Sequence, residues 1–172
     1  AMRFVHISLA LAILVPLAFG VLIGAINATL ITKVNFPPMM ATYSTQMLVK
    51  GIELVLTGGS TYKPLVSHEA FSYLGFGDIF GVIPFSLAFF VVIFVICFFS
   101  IKRIPLVRNV YAVGGNEEAA RMMGVNVVRT KFVAHIICSV LATIAGINVA
   151  ARTGAAVTAA GDGYDMLAIA SV

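Results

Sequence analysis

Long apolar runs separated by short polar punctuation organise this chain. The first runs from about Phe4 to Thr32, between Arg3 and Lys33, with His6 its only ionisable group. The second, about Pro38 to Leu56, is less apolar and carries Lys50 and Glu53. The third, Ile79 to Ile101, holds no charge and is dense in Phe and Val. The fourth, about Phe132 to Ala151, contains His135 near its start, and a partial fifth occupies residues 164–172. Runs of about 20 apolar residues predict helices that cross a bilayer. No strand-like alternation of the length needed for a membrane barrel is present. The first run is too long for a signal-peptide core and lacks a cleavage site, so it reads as a genuine span.

The punctuation is equally specific. Lys33-Val34-Asn35-Phe36-Pro37-Pro38 predicts a tight turn, because proline ends one helix and is accepted in the first turn of the next. Gly20 and Gly24, four apart, form a smooth face that permits close approach of another helix. Pro16 predicts a kink in the first helix. Residues 57–78 form the longest irregular stretch. The most polar segment is Tyr111 to Lys131. Gly114-Gly115 predicts a break, Asn116 a helix N-cap, and Glu117 and Glu118 a first turn that opposes the helix dipole. Ala119, Ala120, Arg121, Met122 and Met123 favour helix, and Gly124 closes it as a C-cap glycine. The prediction is a two-turn helix, too short to stand alone, with two methionines suited to an adaptable contact.

Composition sharpens this into a class. Of 172 residues 60% are hydrophobic and only 10% charged, and the mean hydropathy is +1.05. A soluble domain carries about a quarter charged residues. The expectation is an all-α integral membrane protein, a polytopic helical bundle. The net charge of +4 does not point to nucleic acid, because the basic residues cluster beside the apolar runs. Six of them, Lys102, Arg103, Arg108, Arg121, Arg129 and Lys131, fall in the connection between the third and fourth spans. The positive-inside rule places that connection in the cytoplasm. Parity then puts the 57–78 loop outside and the Lys33 turn inside.

Candidate chemistry is sparse. Cys97 and Cys138 lie in apolar runs and read as small hydrophobes. No Walker A sequence, catalytic carboxylate pair, Cys/His cluster or Ser/His/Asp set is evident, and no cofactor or metal is called for. The glycines of 154–163 lack the Lys-Ser/Thr of a phosphate loop. Asn27 reads either as a translocation-path residue or as interhelical hydrogen-bonding glue. Lys50 and Glu53, three apart, can pair on one helix face, lie on a path, or snorkel outward. An unpaired charge at mid-membrane costs about 2.5–3.5 kcal/mol. His135 reads as a proton-relay group or, more simply, as a residue that snorkels or bonds a neighbouring helix.

Two stretches carry a resemblance. The run Asn109-Val-Tyr-Ala-Val-Gly-Gly-Asn-Glu-Glu-Ala-Ala-Arg-Met-Met-Gly-Val-Asn-Val127 resembles the cytoplasmic coupling segment of permease subunits of bacterial ABC importers for monosaccharides, the ribose, xylose and galactoside type. Gly24 to Thr42, with Leu48 to Gly59 after it, resembles a span, cytoplasmic turn and next helix of the same family; Tyr43 and Ser44 depart from its expected leucine and glycine. Gly163-Tyr164-Asp165-Met166 is similar to a family element with a longer carboxylate.

The resemblance implies a multi-pass protein of the bacterial plasma (inner) membrane, with no catalytic chemistry of its own. It implies three protein partners: a separate ATP-binding cassette ATPase subunit, an extracytoplasmic sugar-binding protein, and a second permease subunit in a homo- or heterodimer. Membrane lipid surrounds it, and nucleic acid is not a partner. Gly114, Gly115, Asn116, Glu117, Glu118, Ala119, Ala120, Arg121 and Gly124 would form the ATPase-coupling element. Asn27, Asn148 and Tyr164 are the path candidates. Glu118→Pro is expected to uncouple ATP turnover, and joint Gly114→Val and Gly115→Val to misdirect the helix. The family pattern extends beyond both ends of the chain, so the expectation is a C-terminal part of a permease. A non-transporting remnant and, further off, a secondary-transporter fragment are the alternative readings.

Overall fold

The computed structural model describes residues 9–59, 75, 77–79, 83–155, 157 and 160–171. The beginning of the first predicted span with His6, most of the 57–78 loop, Phe80, Gly81 and Val82 of the third predicted span, and Ala156, Thr158, Ala159 and Val172 lie outside the described residues. Among the described residues seven helices and one short β pair follow in order. They are α1 (Leu9–Thr32), α2 (Pro38–Thr57), β1 (Asp78–Ile79), β2 (Ile83–Pro84), α3 (Phe85–Arg103), α4 (Pro105–Gly115), α5 (Glu117–Met122), α6 (Val127–Thr153) and α7 (Tyr164–Ala170). The strands pair antiparallel, Asp78 opposite Pro84 and Ile79 opposite Ile83, immediately before α3.

Among the described residues two helices are long and apolar enough to cross a membrane, Ala10–Thr32 and Val127–Thr153. A third crossing is available if Phe85–Ser100 and Pro105–Gly115, bent by 78°, are taken together. The bend has a local cause. Pro105 cannot donate to the preceding turn, and Ile104 takes an extended conformation, φ −95° and ψ 119°. Helix α2 reaches 20 residues but carries a polar stripe.

α1 and α6 pack along one another as the dominant helix pair. Gly24 explains how closely. A Cβ there would lie 3.0 Å from Ser139 Cβ and 3.1 Å from both the His135 carbonyl oxygen and Ile136 Cα. At Gly20 it would collide with the Thr143 side chain. The two glycines thus seat α6 directly on the α1 backbone, as small residues do where apolar surfaces have only lipid as the alternative partner. Threonine hydroxyls on these helices bond carbonyls of their own helix. Thr29 and Thr32 donate to the carbonyls of Ala25 and Ala28 at 2.7 and 2.6 Å, and Thr143 to that of Ser139 at 2.8 Å. The rest of α1 and α3 turns Leu, Val, Ile and Phe outward. In water that surface would be a liability; in hydrocarbon it is the solvent match.

The predicted turn at Lys33–Pro38 is present. α1 ends at Thr32, Asn35 adopts the left-handed conformation at φ +56°, and the Phe36 amide donates to the Leu30 carbonyl at 3.2 Å. Asparagine is among the few non-glycine residues at home there. Pro38 then opens α2. α1 runs through Pro16 as one helix.

Two expectations are corrected. Gly114-Gly115 does not break the chain: both belong to α4, and the break falls at Asn116, whose φ −155° and ψ 108° are extended. The neighbouring cap won over the glycine signal. Helix α6 begins at Val127, earlier than the predicted Phe132, because the Asn126 side chain accepts from the Arg129 amide at 3.0 Å. Arg129 and Lys131 therefore sit on the first turns of α6.

Candidate functional site

The segment 111–131 folds into a small knot of three elements. Asn116 caps α5: its Oδ1 accepts from the Ala119 amide at 3.0 Å, a contact worth about 1 kcal/mol. At the other end the Val125 amide donates to the Ala120 carbonyl and the Gly124 amide to that of Arg121, both at 3.0 Å. Gly124 has φ +82°. That double closure over a left-handed glycine is a Schellman ending. Six residues thus form a helix with both ends satisfied.

What α5 lacks in length it gains by docking. Ala120 is fully buried, and with Val113 from α4 and Val127 from α6 it forms a local apolar core, flanked by Ala112 and Val125. Thr130, also buried, donates to the Asn126 carbonyl at 2.9 Å. On the rim, Glu117 Oε2 lies 2.6 Å from Lys131 Nζ, and Glu117 Oε1 3.5 Å from Arg121 Nη2. The hydrogen bond from Lys131, with the positive charges of Lys131 and Arg121, holds the Glu117 carboxyl below its ordinary value despite some desolvation. The opposite face, Glu118, Ala119, Met122 and Met123, points outward. Met122 and Met123 are 82% and 72% exposed.

The sequence-selected residues therefore divide by what they touch. Asn116 and Gly124 close the helix ends, Ala120 fills the local core, and Glu117 and Arg121 share the rim ion pairs. Glu118 and Ala119 face outward. Gly114 and Gly115 lie in the last turn of α4, where a Cβ on either meets nothing within 4 Å. Valine at both positions thus has room, and the predicted misdirection loses its basis. Glu118 occupies the second position of α5, where no intrahelical bond uses its amide. Proline is tolerated there, so Ala120, whose amide donates to the Asn116 carbonyl at 3.0 Å, is the position at which proline breaks α5. Lys131 was missed as a partner. Its clue was its position at the start of α6, hidden by placing that start too late.

The three path candidates are not brought together. Asn27 lines a polar cleft of about 420 Å³ between α1, α2 and the turn before α7. Its Oδ1 is buried and has no hydrogen-bond partner among the described residues. Asn148 lines a separate, mainly apolar cavity of about 650 Å³ between α3 and α6, near Arg152. Tyr164 opens α7 and is exposed. Lys50 does not pair with Glu53: its Nζ lies 2.6 Å from Asp162 Oδ1. His135 Nδ1 bonds its own helix, 2.8 Å from the Lys131 carbonyl. Residues Thr42, Thr45 and Gln46 on the cleft wall were not singled out in the sequence, although with Lys50 and Glu53 they recur at helical spacing. Among the described residues no cluster of His, Cys, Asp or Glu could hold a metal ion.

Comparison with known proteins places these features in a lineage. The family described as branched-chain amino acid transport system / permease component matches residues 1–172. The chain is 32% identical over 170 residues to the ribose import permease protein RbsC of Escherichia coli (strain K12), covering 98% of this chain and 53% of that protein. It is 31% identical over 146 residues to the L-arabinose transport system permease protein AraH of Escherichia coli (strain K12), covering 85% and 44%. It is 36% identical over 166 residues to the autoinducer 2 import system permease protein LsrC of Enterobacter sp. (strain 638), covering 95% and 47%. The chain thus spans about half the length of these curated relatives. No solved structure gives a significant match.

Proposed function

Because the chain belongs to the branched-chain amino acid transport system / permease component family, we propose that it serves as a membrane subunit of an ATP-driven importer of a sugar or similar small polyhydroxylated solute, and that α5 is the helix on which a separate ATPase docks. The solute class rests on the relatives, whose names include ribose and arabinose transport. The docking role rests on one observation above all: α5 is capped, cored and ion-paired on one side, yet presents Met122 and Met123 to open space on the other. Flexible thioethers on a rigid support suit a contact that must persist while the partner moves.

The packing supplies a route for that movement. The Val113–Ala120–Val127 core and the Glu117–Lys131 ion pair tie α5 to the start of α6. α6 lies along α1 through Gly20 and Gly24. A displacement of α5 on closure of the ATPase would carry α6 and α1 with it as a packed unit, reorienting the pathway. An extracytoplasmic binding protein would deliver the solute, and a second permease subunit would complete the passage. ATP hydrolysis belongs to the ATPase in this scheme. Lys50 and His135, each already hydrogen-bonded, give little support to proton-coupled secondary transport.

The test is solute-stimulated ATP turnover in the assembled importer. Ala120→Pro should abolish stimulation, since it removes a buried residue and an internal hydrogen bond. Met122→Ser with Met123→Ser should lower it without disturbing membrane insertion. Full stimulation in both variants would refute the docking role.

A further inference from the structure

We propose that the cleft between α1, α2 and the turn before α7 is a subsite for a neutral polyhydroxylated solute, gated by the Lys50–Asp162 ion pair. The proposal deepens the importer reading and rests on it. α2 presents Thr42, Thr45, Gln46, Lys50 and Glu53 to the cleft. Their spacing places them along one side of a 3.6-residue helix, so the polar stripe is continuous. α1 contributes Asn27 from the facing wall, and the turn contributes Asp162.

Three observations point to a ligand and to its chemistry. The volume, about 420 Å³, falls in the range of about 300–1,000 Å³ usual for small-molecule sites. The Asn27 Oδ1 atom is buried and has no partner among the described residues, an acceptor left open in a region where unmet hydrogen bonds are costly. The Thr42 and Thr45 hydroxyls donate to carbonyls of their own helix and so offer lone pairs as acceptors, while the Gln46 and Asn27 carboxamides can donate, a combination that suits the hydroxyls of a polyol. Charge then discriminates. Among the described residues lining the cleft Lys50 is the one cation, and Asp162 already holds it at 2.6 Å. Glu53 adds a further negative charge. With Asp162 and Glu53 set against Lys50, the described lining carries one net negative charge, so an anionic group, including the carboxylate of an amino acid, meets net repulsion whether the ion pair is closed or open.

The ion pair joins α2 to the chain just before α7 across the cleft mouth. Both side chains are about half exposed, 41% for Lys50 and 53% for Asp162. The contact is therefore a weak, separable clasp. Opening it would free one ammonium and one carboxylate to bond solute hydroxyls.

The test uses the assembled importer in liposomes, with labelled D-ribose, L-arabinose and L-leucine as probes. Thr45→Val and Gln46→Ala should each raise the KM for a transported sugar, with an effect of about tenfold for the pair, while ATPase docking in detergent stays unchanged. Lys50→Asp and Asp162→Lys should each impair uptake, and the exchanged double variant should recover it. Sugar uptake unaffected by Thr45→Val and Gln46→Ala would overturn the subsite and leave the importer reading standing. Failure of the exchanged pair to recover would overturn the gate. Transport of leucine but neither sugar would overturn the subsite and the solute class together.

Discussion

The knot at 111–131 and the α1–α6 pair solve opposite problems. The knot has little apolar surface to bury, so it relies on capping, a three-residue core and rim ion pairs. The α1–α6 pair has apolar surface in excess and relies on glycine for close approach, leaving Leu14, Phe19 and Leu22 outward. One region is held by satisfying polar groups, the other by fit between backbones. What stabilises each follows from its surroundings: water competes for hydrogen bonds around the knot, whereas lipid offers the spans no hydrophobic driving force to associate.

Placing the same charge on both regions should separate them most sharply. Leu22→Asp, near the middle of the Ala10–Thr32 span, sets a carboxylate against hydrocarbon, which costs about 2.5–3.5 kcal/mol. The equilibrium constant for insertion, read in a membrane-insertion assay, should fall about a hundredfold, by the tenfold per 1.4 kcal/mol rule. Ala119→Asp, on the outward face of α5, should leave insertion unchanged. Equal effects would erase the distinction between the regions.

Overpacking should come next. Gly24→Leu forces a side chain into the contact with Ser139 and Ile136 and should cost about 1–3 kcal/mol. Thermal unfolding in detergent should begin at a lower temperature, while the equivalent enlargement at Gly114 should not matter, since a Cβ there meets open space. Asn116→Ala should cost about 1 kcal/mol, confined to α5. Hydrogen exchange at the Ala119 amide should accelerate and exchange in α6 should not.

The smallest effect concerns acid. Glu117 has a carboxyl held below its ordinary value of 4.5, chiefly by the hydrogen bond from Lys131. Its contribution is present above that value and is lost only as pH falls through the lowered one. Protection of the α5 amides, measured against their intrinsic exchange rate at each pH, should thus stay constant from neutrality down to about 4.5 and decrease below it. Glu117→Gln should remove this acid step. The contact is surface-exposed, so the change in stability should be slight.

The helical fold was legible because apolar runs and their punctuation are local. Asn116, Gly124, Pro38 and the Gly20–Gly24 pair each announced what they do within a few residues of sequence. Boundaries were lost where two local signals competed, as when Gly114-Gly115 masked the uninterrupted helix and Asn126 was overlooked as a cap. The cleft was illegible for a different reason. Lys50 meets Asp162 across 112 positions of chain, and nothing near Lys50 names that partner, whereas Glu53 lay temptingly close. The stripe Thr42, Thr45, Gln46, Lys50, Glu53 was readable as a periodicity. Its meaning came from what faces it.

The most direct measurement of the central claim is the affinity of the ATPase for the permease in detergent, comparing the native chain with Met122→Ser plus Met123→Ser. The account predicts a loss of about tenfold or more, because exposed methionines at the centre of a contact carry its apolar area. Native affinity in the double variant, with the protein properly inserted, would contradict docking on α5.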